Sequence, residues 1–149
     1  MNFRMMTMQA VLMLGILGFG LLGQAQEAHA EDVSVQVRSI AASKANANFD
    51  SRLNDLRGQL SKGFGSYTSF TLVEQKQLTI GESKSETVTL PNGEVLSLTF
   101  HGFAGNLAKL GMGIANKMNT TLRISRGSTF FQAGLNYKDG ILIVAIKVL

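Results

Sequence analysis

The chain has 149 residues, with 14 lysines and arginines, 10 aspartates and glutamates, and no cysteine, and its formal net charge is +4. This length suits one domain with a modest core, and the lack of cysteine in the sequence excludes a disulfide framework and a thiolate metal site. We therefore expect the fold to be stabilised by the burial of apolar side chains.

The first thirty residues have the order of charge and hydropathy that defines a secretory signal peptide. Arg4 precedes an apolar run over residues 10–22, and the small residues of Ala28-His29-Ala30 suit an export peptidase. The run is shorter than the roughly 20 apolar residues that a membrane-spanning helix needs. We predict a signal peptide over residues 1–30, cleaved after Ala30, and an exported bacterial protein that is periplasmic or extracellular and keeps no membrane anchor.

The predicted mature chain opens with a strand. Val33, Val35 and Val37 alternate with polar residues, and this alternation continues towards Ile40. A period of two is typical of a strand with one buried face, so we predict a half-buried strand over residues 32–40.

The period of the apolar residues then changes to that of a helix, with one stripe spaced by three or four residues. The stripe consists of Ala45, Phe49, Leu53, Leu56, Leu60 and Phe64. We predict one amphipathic helix near residues 44–62. Ser43 or Asp50 could cap its start with a side-chain oxygen, and Gly63 and Gly65 would end it through the left-handed conformation open to glycine.

From residue 66 onward, β-branched and apolar segments alternate with turn residues, the pattern of consecutive strands. Pro91-Asn92-Gly93 and Lys138-Asp139-Gly140 have the composition of hairpin turns. The predicted strands are 67–72, 77–80, 87–90, 96–101, 120–125, 129–137 and 141–149. The last is almost continuously apolar, which is typical of a central strand.

Residues 102–117 fit either a helix or a strand. Four apolar residues lie two apart, as on one face of a strand: Ala108, Leu110, Met112 and Ile114. Gly111 and Gly113 would each destabilise a helix interior by about 1 kcal/mol, so we favour a strand with a bend or bulge. We expect the glycines of the mature chain to be turn and bulge residues.

These segments predict a mainly β (α+β) fold. About eight mostly antiparallel strands would form a sandwich or rolled sheet, with the helix near residues 44–62 covering one face or end. We place this fold in a single domain over residues 31–149.

The familiar catalytic patterns are missing from the sequence. His101 is the only histidine after residue 30, and the alternation of its strand places it on the polar face, as an ordinary surface histidine. The sequence has no G-x-S-x-G motif and no metal-ligand spacing, and Gly111-Met112-Gly113 lacks the third glycine of a nucleotide-binding loop. We expect no catalytic residue, no metal and no cofactor.

Charge is distributed unevenly along the predicted mature chain. Residues 31–94 hold seven basic and eight acidic side chains, whereas residues 95–149 hold six basic side chains and a single acid, Asp139. Such asymmetry indicates either a solvated basic sheet face or an anionic partner. Nucleic acid is not expected, because there is no basic run and no aromatic-basic motif.

Three functions follow, in decreasing order of support. The first is an exported, non-enzymatic, β-rich domain that binds another protein of the cell envelope or the extracellular space, since sheets offer edges for strand pairing. The second is binding of an anionic surface, lipid head groups or acidic glycan, by the basic C-terminal half. The third, with least support, is an enzyme. Candidate contacts for the anionic ligand are Lys109, Lys117, Arg123 and Arg126.

Overall fold

A computed structural model describes residues 31–149, so the predicted signal peptide and its cleavage after Ala30 lie outside the described residues. The strands are β1 (Asp32–Ser43), β2 (Asn48–Phe49), β3 (Ser69–Gly81), β4 (Ser85–Thr89), β5 (Val95–Ala104), β6 (Leu107–Ile114), β7 (Met118–Ser125), β8 (Thr129–Tyr137) and β9 (Gly140–Val148). Between β2 and β3 lie a 3₁₀-helix (Ser51–Leu56) and an α-helix, α1 (Arg57–Gly63).

The strands form two sheets, one of five strands in the order β2-β3-β1-β9-β8 and one of four in the order β4-β5-β6-β7. Every described ladder is antiparallel except the short parallel pairing of β2 with β3. From β3 to β9 each strand either pairs with the next one or passes to the other sheet, and β1 lies between β9 and β3. The predicted mainly β fold, with antiparallel strands and one helix, is confirmed.

The five-stranded sheet is covered on both faces. Its inner face packs against the four-stranded sheet in the main core, to which β1 contributes Val33, Val35 and Val37. Its other face packs against the helical segment in a second core, to which β1 contributes Ile40 and Ala42. Because strand side chains alternate between faces, β1 and β9 supply both cores. This explains the continuous apolar run in β9, which is a central strand as predicted.

The helical segment begins later than the predicted helix near residues 44–62. Phe49 lies in β2 instead, where it pairs with Phe70 of β3, and the two ring centroids are 5.7 Å apart. The apolar stripe therefore passes from a strand into a helix between Phe49 and Leu53, since both residues face the second core. The stripe positions that are helical and buried, as predicted, are Leu53, Leu56 and Leu60.

Asp50 is the residue that caps the helical segment, whereas Ser43 belongs to β1. The Asp50 carboxylate accepts a hydrogen bond from the backbone N–H of Arg52 at 3.0 Å. It also accepts one from the N–H of Leu72 at 3.0 Å, while the Arg52 guanidinium donates to the Leu72 carbonyl at 3.1 Å. The two side chains thus extend the short β2 and cover the edge of β3.

The helix ends at Gly63, but not through a left-handed glycine. Neither Gly63 nor Gly65 has a positive φ. A Cβ on Gly65 would lie 2.9 Å from the Ser61 carbonyl oxygen, so the chain passes too close to the helix for a side chain. Close approach of the backbone, rather than backbone handedness, requires glycine at position 65.

Residues 102–117 contain a strand, β6, as predicted, and its inward side chains are fully buried. The predicted bulge lies at the start of this range, in β5, where the register shifts between Phe100 and Phe103 and Gly102 has a φ of 98°. β6 pairs with β7 without interruption, so the expectation that Gly111 and Gly113 are bulge or turn residues is wrong. Both glycines lie within a regular strand and face outward.

Candidate functional site

The outer face of the four-stranded sheet is left uncovered by the rest of the described chain. Alternate residues of β5 and β6 point inward and are fully buried, which directs their neighbours outward. Most of the outward side chains are short and polar, and none is acidic among the strand positions that the structure describes. These positions are Ser85, Thr87 and Thr89 of β4, Val95, Ser97, Thr99 and His101 of β5, Leu107, Lys109, Gly111 and Gly113 of β6, and Asn119, Thr121, Arg123 and Ser125 of β7.

Strand register places the glycines of β6 between two polar rows. Gly111 lies between Thr99 of β5 and Thr121 of β7, and Gly113 is flanked in the same way by Ser97 and Asn119. Because the two glycines have no side chains, the centre of this face is lower than the rows beside it. The result is an open groove of about 720 Å³. The loop formed by residues 115–117 lines one end of it.

His101 lies over the floor of the groove. A Cβ on Gly111 would be 3.2 Å from His101 Nε2 and 3.7 Å from Thr99 Cβ, so the imidazole occupies the space that a side chain at position 111 would need. At Gly113 the nearest atom to such a Cβ is the Met118 carbonyl oxygen, 3.7 Å away, and the floor is open there. His101 is exposed on the polar face of β5, as predicted.

The groove is lined mainly by hydroxyl and amide groups. The hydroxyl oxygens of Ser85 and Thr99 are 2.6 Å apart, which orients the Thr99 hydroxyl towards β4. Each Ser or Thr hydroxyl can both donate and accept a hydrogen bond, and an Asn amide does so with two different atoms. A ligand that itself carries hydroxyl groups therefore finds both kinds of partner on this surface.

Lys109 and Arg123 lie next to the glycine floor, as direct partners in the ladder between β6 and β7, and both side chains are exposed. Like charges directly opposite each other on a sheet are destabilising. None of the ion pairs in residues 31–149 includes either residue. The sheet thus carries two adjacent positive charges that no carboxylate neutralises within the described part of the chain.

The other two predicted contact residues lie apart from each other and have partners. The Lys117 ammonium is 2.9 Å from a carboxylate oxygen of Glu94, and together with the Asn92 amide it holds the pKa of Glu94 below its ordinary value. The Arg126 guanidinium lies 3.9 Å from the centroid of the Phe103 ring. Lys117 follows one end of β6 and Arg126 lies beside the other, about 25 Å away at the usual rise of a strand. The four predicted residues therefore do not form one patch.

The polar face of β5 was predicted from the alternation around His101, but the second polar row and the glycine floor were not. The signal was present as the alternating Ser97 and Thr99 in β5, as Asn119 and Thr121 in β7, and as Gly-x-Gly in the strand between them. It becomes visible only with the register that places these three strands side by side.

Aromatic rings do not form the floor or walls of this groove. Phe130 packs against the main core and Phe131 against the second core, one on each side of β8. Phe103 is half-buried, 5.1 Å from Phe100 between ring centroids. Within residues 31–149 no three side chains of His, Asp or Glu come together as a metal site, and no helix has the length and apolarity to cross a membrane.

No family model, no curated protein and no solved structure shows a significant match to this chain. The function is therefore argued from the groove and its charges.

Proposed function

We propose that the protein is a non-enzymatic binding domain that takes an anionic ligand on the outer face of its four-stranded sheet. The observation that carries this proposal is the adjacent pair Lys109 and Arg123 beside a polar groove, with no neutralising carboxylate among residues 31–149. A bound anion would relieve the repulsion between the two cations, so the protein itself gains stability when the site is filled.

The two side chains differ in what they offer an anion. The guanidinium of Arg123 can donate two parallel hydrogen bonds to a carboxylate, sulfate or phosphate group. The ammonium of Lys109 acts as a compact point charge. Together they favour a ligand that places one localised anionic group at this end of the groove. A ligand whose negative charge is spread over a wide surface fits them less well.

Lys117 and Arg126 have smaller parts in this proposal. Lys117 is already paired with Glu94, and Arg126 lies on an aromatic ring and donates a hydrogen bond to the Leu149 carbonyl at 3.3 Å. An anion would have to compete with these contacts. We therefore place the anionic contact on Lys109 and Arg123.

Binding to another envelope or extracellular protein by strand addition remains a prediction of the sequence, and the strand edges favour it less. Asp50 and Arg52 cover part of the β3 edge, and Glu74 and Lys76 follow along the rest of it. β8 is interrupted by a bulge, and β4 has only five residues, whereas β7 has eight residues without a bulge, carries the exposed Arg123 and is the edge most open to pairing. Charged residues, bulges and short strands are the features by which proteins prevent pairing at their edges.

The test is salt-dependent binding of the purified protein to two anionic probes, oligogalacturonate and vesicles containing phosphatidylglycerol. The double variant Lys109→Glu with Arg123→Glu should lower affinity for the bound probe by about tenfold or more, and added salt should weaken the wild-type complex. The matched control is Lys62→Glu with Lys76→Glu, an equal charge change at exposed sites away from the groove. An equal loss in both double variants would contradict the proposal.

A further inference from the structure

The groove beside Lys109 and Arg123 has a shape that narrows the class of ligand. Its walls are the polar rows of β5 and β7, two strand spacings or about 10 Å apart, with β6 as the floor between them. The 115–117 loop lines one end and the cation pair lies beside the other. The space is thus a channel along β6 that is open at Gly113 and narrowed at Gly111 by the His101 ring, with hydroxyl or amide groups on both sides.

We infer that this channel binds the sugar rings of an acidic glycan, with one ring over Gly113 and the carboxylate or sulfate of another ring, about 13 Å along the strand, at Lys109 and Arg123. The inference rests on the proposed function, because it assigns a ligand class to the same site. Sugar hydroxyls project around the edge of a ring, where they meet the side chains of Ser97 and Asn119 on opposite walls. These groups supply donors and acceptors to both edges of the ring.

A membrane surface fits the channel less well. A bilayer presents a broad surface to a protein, and it would contact the raised rows and the loop rather than the recessed glycine floor. The outward positions of β6 along the floor of the groove are two glycines, which offer no apolar side chain for insertion between lipid chains, and the exposed Leu107 of this strand lies beyond Lys109. The recessed floor is therefore of use to a ligand narrow enough to enter between the walls.

Gly113 provides the sharpest test of this inference. A Cβ there would meet only the Met118 carbonyl oxygen, at 3.7 Å, which is ordinary van der Waals contact, and its φ is not positive. Gly113→Ala and Gly113→Val should therefore fold while they raise the floor. Gly111 is a poorer choice, because a Cβ at that position would displace the His101 ring.

The experiment measures binding of oligogalacturonate, of neutral maltohexaose and of phosphatidylglycerol vesicles to the purified protein by calorimetry or sedimentation. Wild-type protein should bind oligogalacturonate and show much weaker binding of the neutral oligosaccharide. Gly113→Val should lower affinity for oligogalacturonate by about tenfold and Gly113→Ala by less, because a single pocket contact changes binding on that scale. Gly58→Ala is the control, since a Cβ at position 58 of α1 meets nothing within 4 Å. Circular dichroism and thermal unfolding verify that each variant is folded.

The outcomes separate this inference from the proposed function. If charge reversal at Lys109 and Arg123 abolishes binding and folded Gly113→Val binds as tightly as wild type, the anionic site stands and the sugar channel is wrong. If only the vesicles bind, the ligand class is wrong. If neither probe binds, or if neither set of variants changes binding, both proposals fail.

Discussion

The two sheets of this protein use their charged side chains in opposite ways. In the five-stranded sheet, Arg38 is 4% exposed and donates two hydrogen bonds, of 3.0 and 2.8 Å, to the Asp55 carboxylate. Asp50 and Arg52 pair with each other at the edge of β3. In the four-stranded sheet, Lys109 and Arg123 face solvent as neighbours, and no acidic residue of the described part of the chain pairs with them.

This difference separates the part of the protein that holds the fold from the part that is available to a ligand. The five-stranded sheet packs against apolar cores on both faces, and its charges attach the helical segment to the sheet. The four-stranded sheet packs on one face only, so its outer face tolerates glycines and like charges. Substitutions in the two regions should therefore act on different properties, and four predictions test this separation from the largest effect to the smallest.

The largest effect is expected where the two sheets meet. Phe100 is 0% exposed in the main core, so Phe100→Ala should lower the free energy of unfolding by about 3–5 kcal/mol. Thr121→Ala, on the outer face, should change it by less than about 0.5 kcal/mol. Urea denaturation followed by circular dichroism measures both. Equal losses in the two variants would show that the outer face is part of the structural core.

The second prediction concerns the ion pair that anchors the helical segment. Asp55→Ala leaves the buried Arg38 guanidinium unpaired and should lower the free energy of unfolding by about 1–3 kcal/mol, less than for a fully buried pair because the Asp55 side chain is 53% exposed. Arg38→Leu should lower the free energy of unfolding by less than Asp55→Ala does. It leaves the Asp55 carboxylate accessible to water and places an apolar side chain in the second core. The same denaturation experiment ranks the two variants, and the reverse order would contradict this account.

The third prediction is the pH dependence of stability. Hydrogen bonds from Arg38 lower the pKa of Asp55 in the folded state, and those from Arg52 lower the pKa of Asp50. A carboxyl whose pKa is lower in the folded state stabilises the protein above its unfolded pKa, near 4, and loses that contribution as pH falls through the folded pKa. Unfolding temperature should therefore fall between pH 5 and pH 2, and it should fall less steeply in Asp55→Asn. If the unfolding temperature of Asp55→Asn depends on pH as steeply as that of the wild type, Asp55 does not contribute to the pH dependence.

The smallest effect should appear at the cation pair, with the opposite sign. Lys109→Gln removes the repulsion with Arg123 and should raise the free energy of unfolding by a few tenths of a kcal/mol at low salt. The same variant should bind the anionic probe more weakly than wild type. A gain in stability joined to a loss of binding is typical of a residue retained for function. Loss of stability in Lys109→Gln would show that the lysine has a structural role.

Local patterns were sufficient to predict most strands and the helical stripe. The penalty for glycine in a helix correctly favoured a strand for β6, and alternation placed His101 on the polar face. The apolar stripe gave a wrong prediction at its start. Phe49 packs against the same core as Leu53, but it lies in a strand and not in the helix. The spacing of apolar residues shows which side of a segment is buried. Where the chain passes from a strand into a helix and buries the same side, the spacing does not reveal the boundary.

The groove and the charge pairing depend on contacts that local patterns do not contain. Composition alone showed an excess of cations after residue 95, and the structure then distinguishes them by their partners. Lys117 meets Glu94 across the ends of two hairpins, while Lys109 meets Arg123 through the register of β6 with β7. A shift of that register by one residue would move the glycines away from the polar rows, so the site could be derived only after the register was known.

The position of β1 has a consequence for the order in which this protein can fold. β1 is the first strand of the described chain, yet it lies in the middle of its sheet, with β9 as one of its two neighbours. During synthesis from the amino end, one edge of β1 therefore stays unpaired until β9, the last strand, has been made. Pairing between distant segments slows folding. The five-stranded sheet should therefore stay incomplete until β9 emerges.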